Sequence, residues 1–469
     1  MATASTQRKF DSQPVALSSR KTPKKFVRLT LWPLVAATFF MVSGGTYGTE
    51  EIVHGAGYGR AILILLITPL LWSLPTAFMI GELSSALPYE GGYYAWVRRA
   101  MGNFWGFQEA WLSLIASIFD MAIYPTLFVA YLTRMFPYFQ EGHRGLYVGM
   151  AVVIACALLN IAGVKVVSLT SLWLFLALSA PFVAIVILAP FKLGALANAV
   201  TKPTTSTVDI LGGLLICMWN YMGWDNASTI ATEVERPQRT YPRAMLVAVC
   251  IVAVSYILPF GAMWMTGLKP TAWETGSWAD IAGILGGPLL RVGVVLGGMI
   301  SAFGMFNALV MSYSRLPLAM AQDGLLPKVF GKLQPKSKAP WVAILALAAF
   351  WMPCLLLGFE RLVTLDILLY GASLALEFVA LAVLRFREPE LARPFRVPGG
   401  LFGAIAIGIP PMLLLGFSVI RSEHEAILGM SSFAFGMILI AAGFVVYGLN
   451  HLLKPTGWSV PPQKAQPAA

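Results

Sequence analysis

The first long apolar run of the chain, residues 30–54, is interrupted by the stretch Ser43-Gly44-Gly45-Thr46-Tyr47-Gly48-Thr49-Glu50-Glu51. Each glycine weakens a helix by about 1 kcal/mol relative to alanine, and a carboxylate inside a lipid bilayer is costlier still. Irregular backbone at membrane depth persists only where protein or a water-filled cavity supplies hydrogen-bond partners. The stretch therefore predicts a broken membrane helix rather than a continuous span.

A second interruption lies in the sixth apolar run, residues 208–233, and reads Trp219-Asn220-Tyr221-Met222-Gly223-Trp224-Asp225. Interrupted helices at corresponding positions of two halves are typical of transporters built from inverted repeats. Close helix packing is the alternative explanation for glycine clusters in membrane helices. Because each break has acidic residues beside it, we favour a binding site over packing.

The composition places both breaks in a membrane protein. The chain has 469 residues, of which 58% are hydrophobic and 12% are charged, whereas a soluble domain has about 25% charged residues. A soluble fold, a disordered chain and a secreted disulfide scaffold are thereby excluded. Since a span needs roughly 20 residues, we predict an all-α polytopic protein with twelve helices. They lie near residues 30–54, 61–86, 104–134, 146–163, 167–190, 208–233, 242–266, 288–320, 340–358, 361–386, 402–420 and 428–452.

The net charge of +11 would suggest nucleic acid as a partner if the protein were soluble. Here most of the 33 lysines and arginines fall in the two tails and in alternate loops, on one side of the predicted bilayer. This asymmetry follows the positive-inside rule. It predicts a multi-pass protein of the plasma or inner membrane with both termini cytoplasmic, no cleaved signal peptide and no nucleic-acid partner.

The two breaks also predict the chemistry of a ligand. Backbone amides near Gly44, Gly45 and Thr46 would face an anion such as a carboxylate, and carbonyls near Trp219 would accept hydrogen bonds from an ammonium group. The three aromatic side chains of the second break, Trp219, Tyr221 and Trp224, could stack on that ammonium, although aromatic residues also serve as interface anchors. Asp225 either caps the inner half of the sixth helix or contacts the ligand.

Further acids lie inside the predicted spans. Asp120 and Tyr124 are four residues apart, so both face one side of the third helix. An acid within a membrane helix is a functional candidate by default, and Asp120 and Glu377 are our candidates for coupling transport to protons. A structural hydrogen bond to a neighbouring helix is the alternative for both. Glu82 and Glu109 lie nearer the ends of their runs and are expected to stabilise inner loops.

Nothing in the sequence indicates an enzyme, a cofactor or a metal centre. The four cysteines and four histidines have no metal-ligand spacing, and no nucleophile elbow or phosphate-binding loop is present. The predicted substrate-binding residues are Ser43, Gly44, Gly45, Thr46, Tyr47, Gly48, Glu50, Tyr124, Trp219, Asn220, Tyr221, Gly223, Trp224 and Asp225.

Several short motifs occur in a fixed order and together resemble the amino acid–polyamine–organocation superfamily, most closely its branch of polyamine uptake and L-type-like amino acid permeases. Besides the two breaks, they are Gly81-Glu82, Gly91-Gly92-Tyr93, Phe104-Trp105-Gly106-Phe107-Gln108, Glu233-Val234-Glu235, Pro242-Arg243-Ala244, Gly324-Leu325-Leu326-Pro327, Leu376-Glu377-Phe378 and Arg393-Pro394-Phe395. The resemblance runs from about Pro33 to Pro398.

The resemblance implies a five-plus-five inverted-repeat core with broken helices 1 and 6, two additional helices, and alternating access. On this basis, residues 1–29 form a basic cytoplasmic tail, 30–190 the first repeat, 208–386 the second repeat, 402–452 helices 11 and 12, and 453–469 the C-terminal tail. The implied function is a secondary transporter of amino acids or polyamines, commonly coupled to protons. Exchange of amines or amino acids, and a sensor of the same ligands that does not transport them, are the alternatives.

Two departures from the polyamine branch concern the substrate. Thr46 stands where proline follows the two glycines, and Ala130 and Leu309 stand where that branch carries acids. A polycation needs several carboxylates to replace its hydration. The missing acids therefore favour amino acids over polyamines by a modest margin.

Overall fold

The computed structural model describes residues 30–87, 92–163, 171–194, 196–197, 209–424, 426–427 and 429–453. The basic N-terminal tail, the C-terminal tail and most of the segment between the fifth and sixth runs lie outside these residues. Their predicted domain bounds therefore stay predictions.

The first predicted run is divided, as its glycines suggest, into two helices. Helix α1 spans Leu31–Val42 and α2 spans Glu50–Thr68, with Gly57 non-helical inside α2. A π-helical turn at Pro69–Ser73 leads into α3, Leu74–Ala86. The second predicted run was expected to begin at residue 61, but helix continues from Glu50 across the bend at Gly57.

The next helices agree closely with the apolar runs. Helix α4 covers Gly92–Met101, α5 Asn103–Met135, α6 Arg144–Ala162 and α7 Ser171–Leu188, the last extended by a 3₁₀ turn at Ala189–Lys192. Only α4 has no counterpart among the twelve predicted helices, because it is short and amphipathic and ends in Arg98-Arg99-Ala100-Met101.

The sixth run forms α8, Ile210–Asn220, followed by a 3₁₀ segment, Trp224–Glu233. The expected inner half of this helix is therefore 3₁₀ rather than α-helix. Asp209 caps α8 by accepting a hydrogen bond from the Gly212 amide at 2.8 Å.

The remaining helices are α9 Pro237–Met265, α10 Trp278–Gln322, α11 Trp341–Cys354, α12 Phe359–Arg387, α13 Gly400–Ala406, α14 Ile409–His424 and α15 Ser432–Leu453. Two bounds differ from the prediction. Helix α10 starts ten residues early because helix resumes on both sides of the bend at Gly287, and the eleventh run is split between α13 and α14.

Eight helical stretches are long and apolar enough to cross a membrane by length and composition: Glu50–Ala86, Asn103–Met135, Arg144–Ala162, Gln238–Met265, Trp278–Gln322, Phe359–Arg387, Gly400–Ile420 and Ser432–Asn450. Shorter apolar helices lie at Leu31–Val42, Leu176–Lys192 and Trp341–Cys354. Large apolar side chains such as Leu289 and Phe402 are exposed on the outside of the bundle, as expected of a surface that faces lipid.

A buried ion pair joins α3 to α12 at the end of the bundle where the basic loops lie. The Arg385 guanidinium is paired with the Glu82 carboxylate, and Arg393 approaches the same carboxylate at 3.2 Å. The Val397 amide also donates to Glu82, at 2.7 Å. This geometry agrees with the expected stabilising role of Glu82.

Candidate functional site

The first break, between α1 and α2, has a backbone that only glycine adopts without strain. Gly44, Gly45 and Gly48 have φ values of 60°, 106° and 82°, which lie in the left-handed region. Space is also restricted, because a Cβ at Gly44 would lie 2.1 Å from the Met305 sulfur. The glycine cluster is therefore needed for both the turn and the close approach of α10.

The second break packs directly against the first. Gly223 has a φ of 85°, and a Cβ on it would lie 3.0 Å from the Met41 carbonyl oxygen at the end of α1. The Asn220 side-chain amide donates to the Gly48 carbonyl at 3.3 Å and to the Ile216 carbonyl at 2.8 Å. The two interruptions thus meet within the bundle.

Asp120 of α5 lies beside the second break and is buried. Its Oδ1 accepts hydrogen bonds from the Tyr124 hydroxyl at 3.0 Å and from Trp219 Nε1 at 3.3 Å. Its Oδ2 accepts one from the Tyr313 hydroxyl of α10 at 3.0 Å. The expectation that Asp120 and Tyr124 share one helix face agrees with this contact, and the carboxylate joins α5, α8 and α10.

Aromatic rings surround this carboxylate. The ring of Trp219 lies 6.1 Å from that of Tyr124 and 5.7 Å, edge to face, from that of Phe359. A carboxylate beside aromatic faces in a dry site is the arrangement that binds an ammonium group.

Two more acids lie near Asp120. Asp225, in the 3₁₀ segment after the break, accepts a hydrogen bond from the Tyr370 hydroxyl of α12 at 2.6 Å. Asp366 of α12 is buried, its Oδ2 has no hydrogen-bond partner, and it interacts electrostatically with both Asp120 and Asp225. These contacts bring helices α5 and α12 to the broken sixth helix.

Sequence reasoning missed Asp366, Tyr313 and Tyr370. Asp366 carried a signal, because it is an acid inside the tenth apolar run, as Asp120 is inside the third. The two tyrosines carried none, because nothing in a single sequence distinguishes a tyrosine that donates to a buried acid from one that packs in a core.

Glu50 and Tyr47 lie away from Asp120, at the start of α2. The Tyr131 hydroxyl donates to Glu50, and the Gly276 amide donates to the same oxygen at 3.0 Å. The Tyr47 ring packs edge to face on Tyr131 and Phe182, at 5.2 and 4.9 Å. Both residues therefore join α2 to neighbouring helices rather than line the space around Asp120.

The expected aromatic closure by Tyr221 and Trp224 differs from what we observe. Both side chains are fully buried, and they bond to backbone carbonyls: Tyr221 to Leu65 at 3.0 Å, and Trp224 to Tyr221 at 2.7 Å. Of the three aromatic residues in the second break, only Trp219 contacts Asp120.

The backbone groups of the breaks are more occupied than predicted. The Gly44 amide donates to the Phe39 carbonyl at 3.4 Å, and the Gly45 amide donates to Ser43 Oγ at 3.1 Å. The Trp219 carbonyl already accepts from the Met222 amide at 3.1 Å. Local turn bonds therefore satisfy groups that we expected to be free for a carboxylate and an ammonium.

Glu109 also differs from its expected role at an inner loop. It is fully buried within α5, and its Oε1 accepts hydrogen bonds from Ser373 of α12 at 2.5 Å and from Ser113 at 3.3 Å. The long amphipathic start of α5 made this position look closer to the helix end than it is.

A polar cavity of about 220 Å³ lies beside the first break, between α2, α8 and α12. Its lining includes three acids, Glu51, Asp209 and Glu360, together with His54. Glu51 is held by the amide and hydroxyl of Thr275, at 2.9 and 3.1 Å. The cavity therefore presents negative charge on the side of the breaks away from the basic loops.

Comparison with known proteins gives one family and several relatives. The family model described as "Amino acid permease" matches residues 35–449. Polyamine transporter RMV1 of Arabidopsis thaliana is 33% identical over 90% of this chain and 87% of its own length, and polyamine transporter PUT1 of Oryza sativa subsp. japonica is 34% identical over 89% and 78%. The serine/threonine exchanger SteT of Bacillus subtilis is 25% identical over 89% of this chain and 94% of its own length.

Among solved structures, MhsT in complex with L-phenylalanine shares the fold, with a TM-score of 0.55 and 14% identity over 88% of this chain and 98% of that chain. The resemblance drawn from the motifs is confirmed, as is the prediction that the chain is a permease and not an enzyme. Together with its apolar helices, the family makes the chain a multi-pass membrane protein.

Proposed function

The chain belongs to the amino acid permease family, and from this membership we propose that it is a secondary transporter of linear polyamines. It works by alternating access, and protons drive it. The substrate ammonium binds Asp120 between the two helix breaks, with Trp219 and Tyr124 beside it. Twelve spans, a five-plus-five inverted repeat of residues 30–190 and 208–386, and cytoplasmic termini in the cell membrane complete the proposal.

One observation supports a cationic substrate above all others. Five buried acids lie together on α5, α12 and the second break, and we call them the acid cluster: Glu109, Asp120, Asp225, Asp366 and Glu377. Asp225 interacts electrostatically with the other four. Among the described residues, the buried arginines Arg385 and Arg393 bond to Glu82 instead, so the protein itself supplies no cation to the cluster.

This cluster changes the preference that the sequence suggested. The absence of acids at Ala130 and Leu309 favoured amino acids, but Asp366 and Glu109 now add two carboxylates to the transport path. The occupied amides of Gly44 and Gly45 give a substrate carboxylate less to bind. Both features favour a substrate with several positive charges, in agreement with the names of the plant relatives.

The acidic cavity at Glu51, Asp209 and Glu360 supports the same substrate class. Clustered charge of one sign attracts an oppositely charged solute and raises its rate of association. Asp120 and Glu377 remain our candidates for the coupling proton, and Asp120 has the stronger case because it contacts the substrate site directly.

Uptake into proteoliposomes tests this function. We expect labelled spermidine to accumulate against its gradient when the pH difference across the membrane is favourable, and unlabelled putrescine and spermidine to compete better than serine, threonine or phenylalanine. Binding without accumulation would identify the sensor alternative instead. Accumulation of amino acids alone would overturn the polyamine assignment.

An amino acid exchanger is the second candidate, and the similarity to SteT over 89% of this chain favours it. An exchanger moves labelled substrate only when the opposite compartment holds unlabelled substrate. Preloading the liposomes with serine or with putrescine therefore separates the two functions in one assay.

A further inference from the structure

Two acids lie on α5 and two on α12, at matching intervals. Glu109 and Asp120 are eleven residues apart on α5, and Asp366 and Glu377 are eleven apart on α12. Eleven residues make about three turns of α-helix, so each pair lies on one helix face with a separation of roughly 16 Å. Each of the two helices therefore presents acids at two levels.

The levels correspond between the two helices. Asp366 interacts electrostatically with Asp120, and Glu377 interacts with Glu109. Ser113 of α5 and Ser373 of α12 are in contact at 2.9 Å, on the same side as Glu109. We call Asp120 and Asp366 the central acid pair and Glu109 and Glu377 the distal acid pair, with Asp225 interacting with both.

The distal acid pair is left incomplete by the protein. Glu377 is fully buried, and neither of its carboxylate oxygens has a hydrogen-bond partner. Glu109 is fully buried as well, and its Oε2 has no partner. A buried carboxylate without hydrogen bonds or a counter-charge is strongly unfavourable, and buried acids are ordinarily paired.

Resting on the function proposed above, we infer that the distal acid pair is a second cation site, which binds another ammonium group of a linear polyamine whose first ammonium lies at the central acid pair. Three unpartnered oxygens suit a primary ammonium, which has three N–H donors and no acceptor. Asp225 lies between the two sites and accepts whatever positive charge is intermediate. The protein thereby distinguishes a polyamine from a monoamine.

The inference predicts a change in selectivity rather than a general loss. In competition assays on purified protein in proteoliposomes, Glu377→Gln weakens spermidine by about tenfold or more, because truncating one member of a desolvated charge pair has an effect of that order. The same variant changes the affinity for n-butylamine, which has one ammonium, by less than about twofold. Glu109→Gln, on the other helix, gives the same result.

Glu390→Gln serves as the matched control, since Glu390 is an exposed acid just beyond α12 and its loss leaves both affinities unchanged. Elution of each variant at the wild-type position in size-exclusion chromatography, together with retained butylamine binding, verifies folding. If Glu377→Gln or Glu109→Gln weakens both amines equally, or alters only the pH profile of uptake, the inference is wrong and the pair is a structural or proton site. Failure of the wild-type protein to bind any amine would instead contradict the proposed function itself.

Discussion

The side-chain amide of Asn220 donates to the Gly48 carbonyl at 3.3 Å and so joins one helix break to the other. The two residues are far apart in sequence, yet each lies at the edge of an interrupted helix. Transport by alternating access requires the two breaks to keep their relative geometry while the surrounding helices move.

Replacing Asn220 with alanine should therefore lower the affinity for substrate. We expect the apparent affinity for spermidine in uptake to fall by about tenfold, because a loss of positioning at a binding site has effects of this order. Asn450→Ala is the matched control, since Asn450 also donates to a backbone carbonyl, that of Leu325 at 2.6 Å, but on α15. Equal losses in the two variants would indicate general destabilisation.

Replacing Gly45 with leucine should abolish uptake and leave membrane insertion intact. The φ of 106° disfavours any side chain, and a Cβ would already lie 3.3 Å from the Tyr47 ring. A strain of this kind costs about 1–3 kcal/mol, which a large membrane protein tolerates but a binding site does not. Gly261→Leu is the control, because nothing lies within 4 Å of a Cβ at that helical position. Normal uptake by the Gly45 variant would place the site elsewhere.

Asp120→Asn should remove the pH dependence of uptake. We expect wild-type uptake to rise with an inwardly directed proton gradient, and the asparagine variant to transport slowly at a rate that no longer changes with pH, because an amide carries no exchangeable charge. Asp280→Asn tests specificity, since Asp280 is an acid held by Arg134 and Arg291, away from the acid cluster. An unchanged pH profile in the Asp120 variant would exclude it from coupling.

Glu360→Gln should slow the capture of substrate at low ionic strength. Glu360 lines the acidic cavity with Glu51 and Asp209, and steering by such charges falls steeply with salt. We expect the KM for spermidine to rise about twofold or more at low salt and to match the wild-type value at high salt, where charges are screened. Glu141→Gln, on a different loop, should show neither effect.

Arg385→Leu should destabilise the whole protein. It leaves the buried Glu82 carboxylate without its closest partner, and breaking a buried pair costs about 3–5 kcal/mol. Arg99→Leu, which breaks the more exposed pair with Glu388 at 2.7 Å, should cost about 1 kcal/mol or less. Thermal unfolding in detergent compares the two variants, and a smaller loss for Arg385 would contradict this ranking.

The Arg99–Glu388 pair also predicts a pH effect outside the membrane. Its hydrogen bond to Arg99 lowers the pKa of Glu388 from the ordinary glutamate value. Its small contribution to stability is therefore present above that ordinary value and is lost as the pH falls through the lowered pKa. Arg99→Leu should accordingly narrow its difference in melting temperature from the wild-type protein as the solution is acidified.

The sequence predicted the helices and the breaks well because both follow from local composition. Apolar runs of membrane length and glycine clusters beside acids are visible in any single window, and Gly44, Gly45, Gly48 and Gly223 all adopt the left-handed backbone that glycine permits. The bends at Gly57 and Gly287 were missed because helix resumes directly after each of them.

The contents of the site were harder to predict because they depend on contacts between distant helices. Nothing local indicates that Tyr313 and Tyr370 donate to acids on other elements, or that Tyr221 and Trp224 turn into the core. Asp366 and Glu109 were within reach of the reasoning that selected Asp120. Applying one rule to every acid inside an apolar run would have identified the acid cluster.

The most direct test of the account is an experimental structure of the protein with spermidine bound. We predict an ammonium group within hydrogen-bond distance of the Asp120 carboxylate, with the rings of Trp219 and Tyr124 beside it and the two helix breaks on either side. Spermidine bound away from both breaks, with the space at Asp120 occupied by side chains or water, would contradict the central claim.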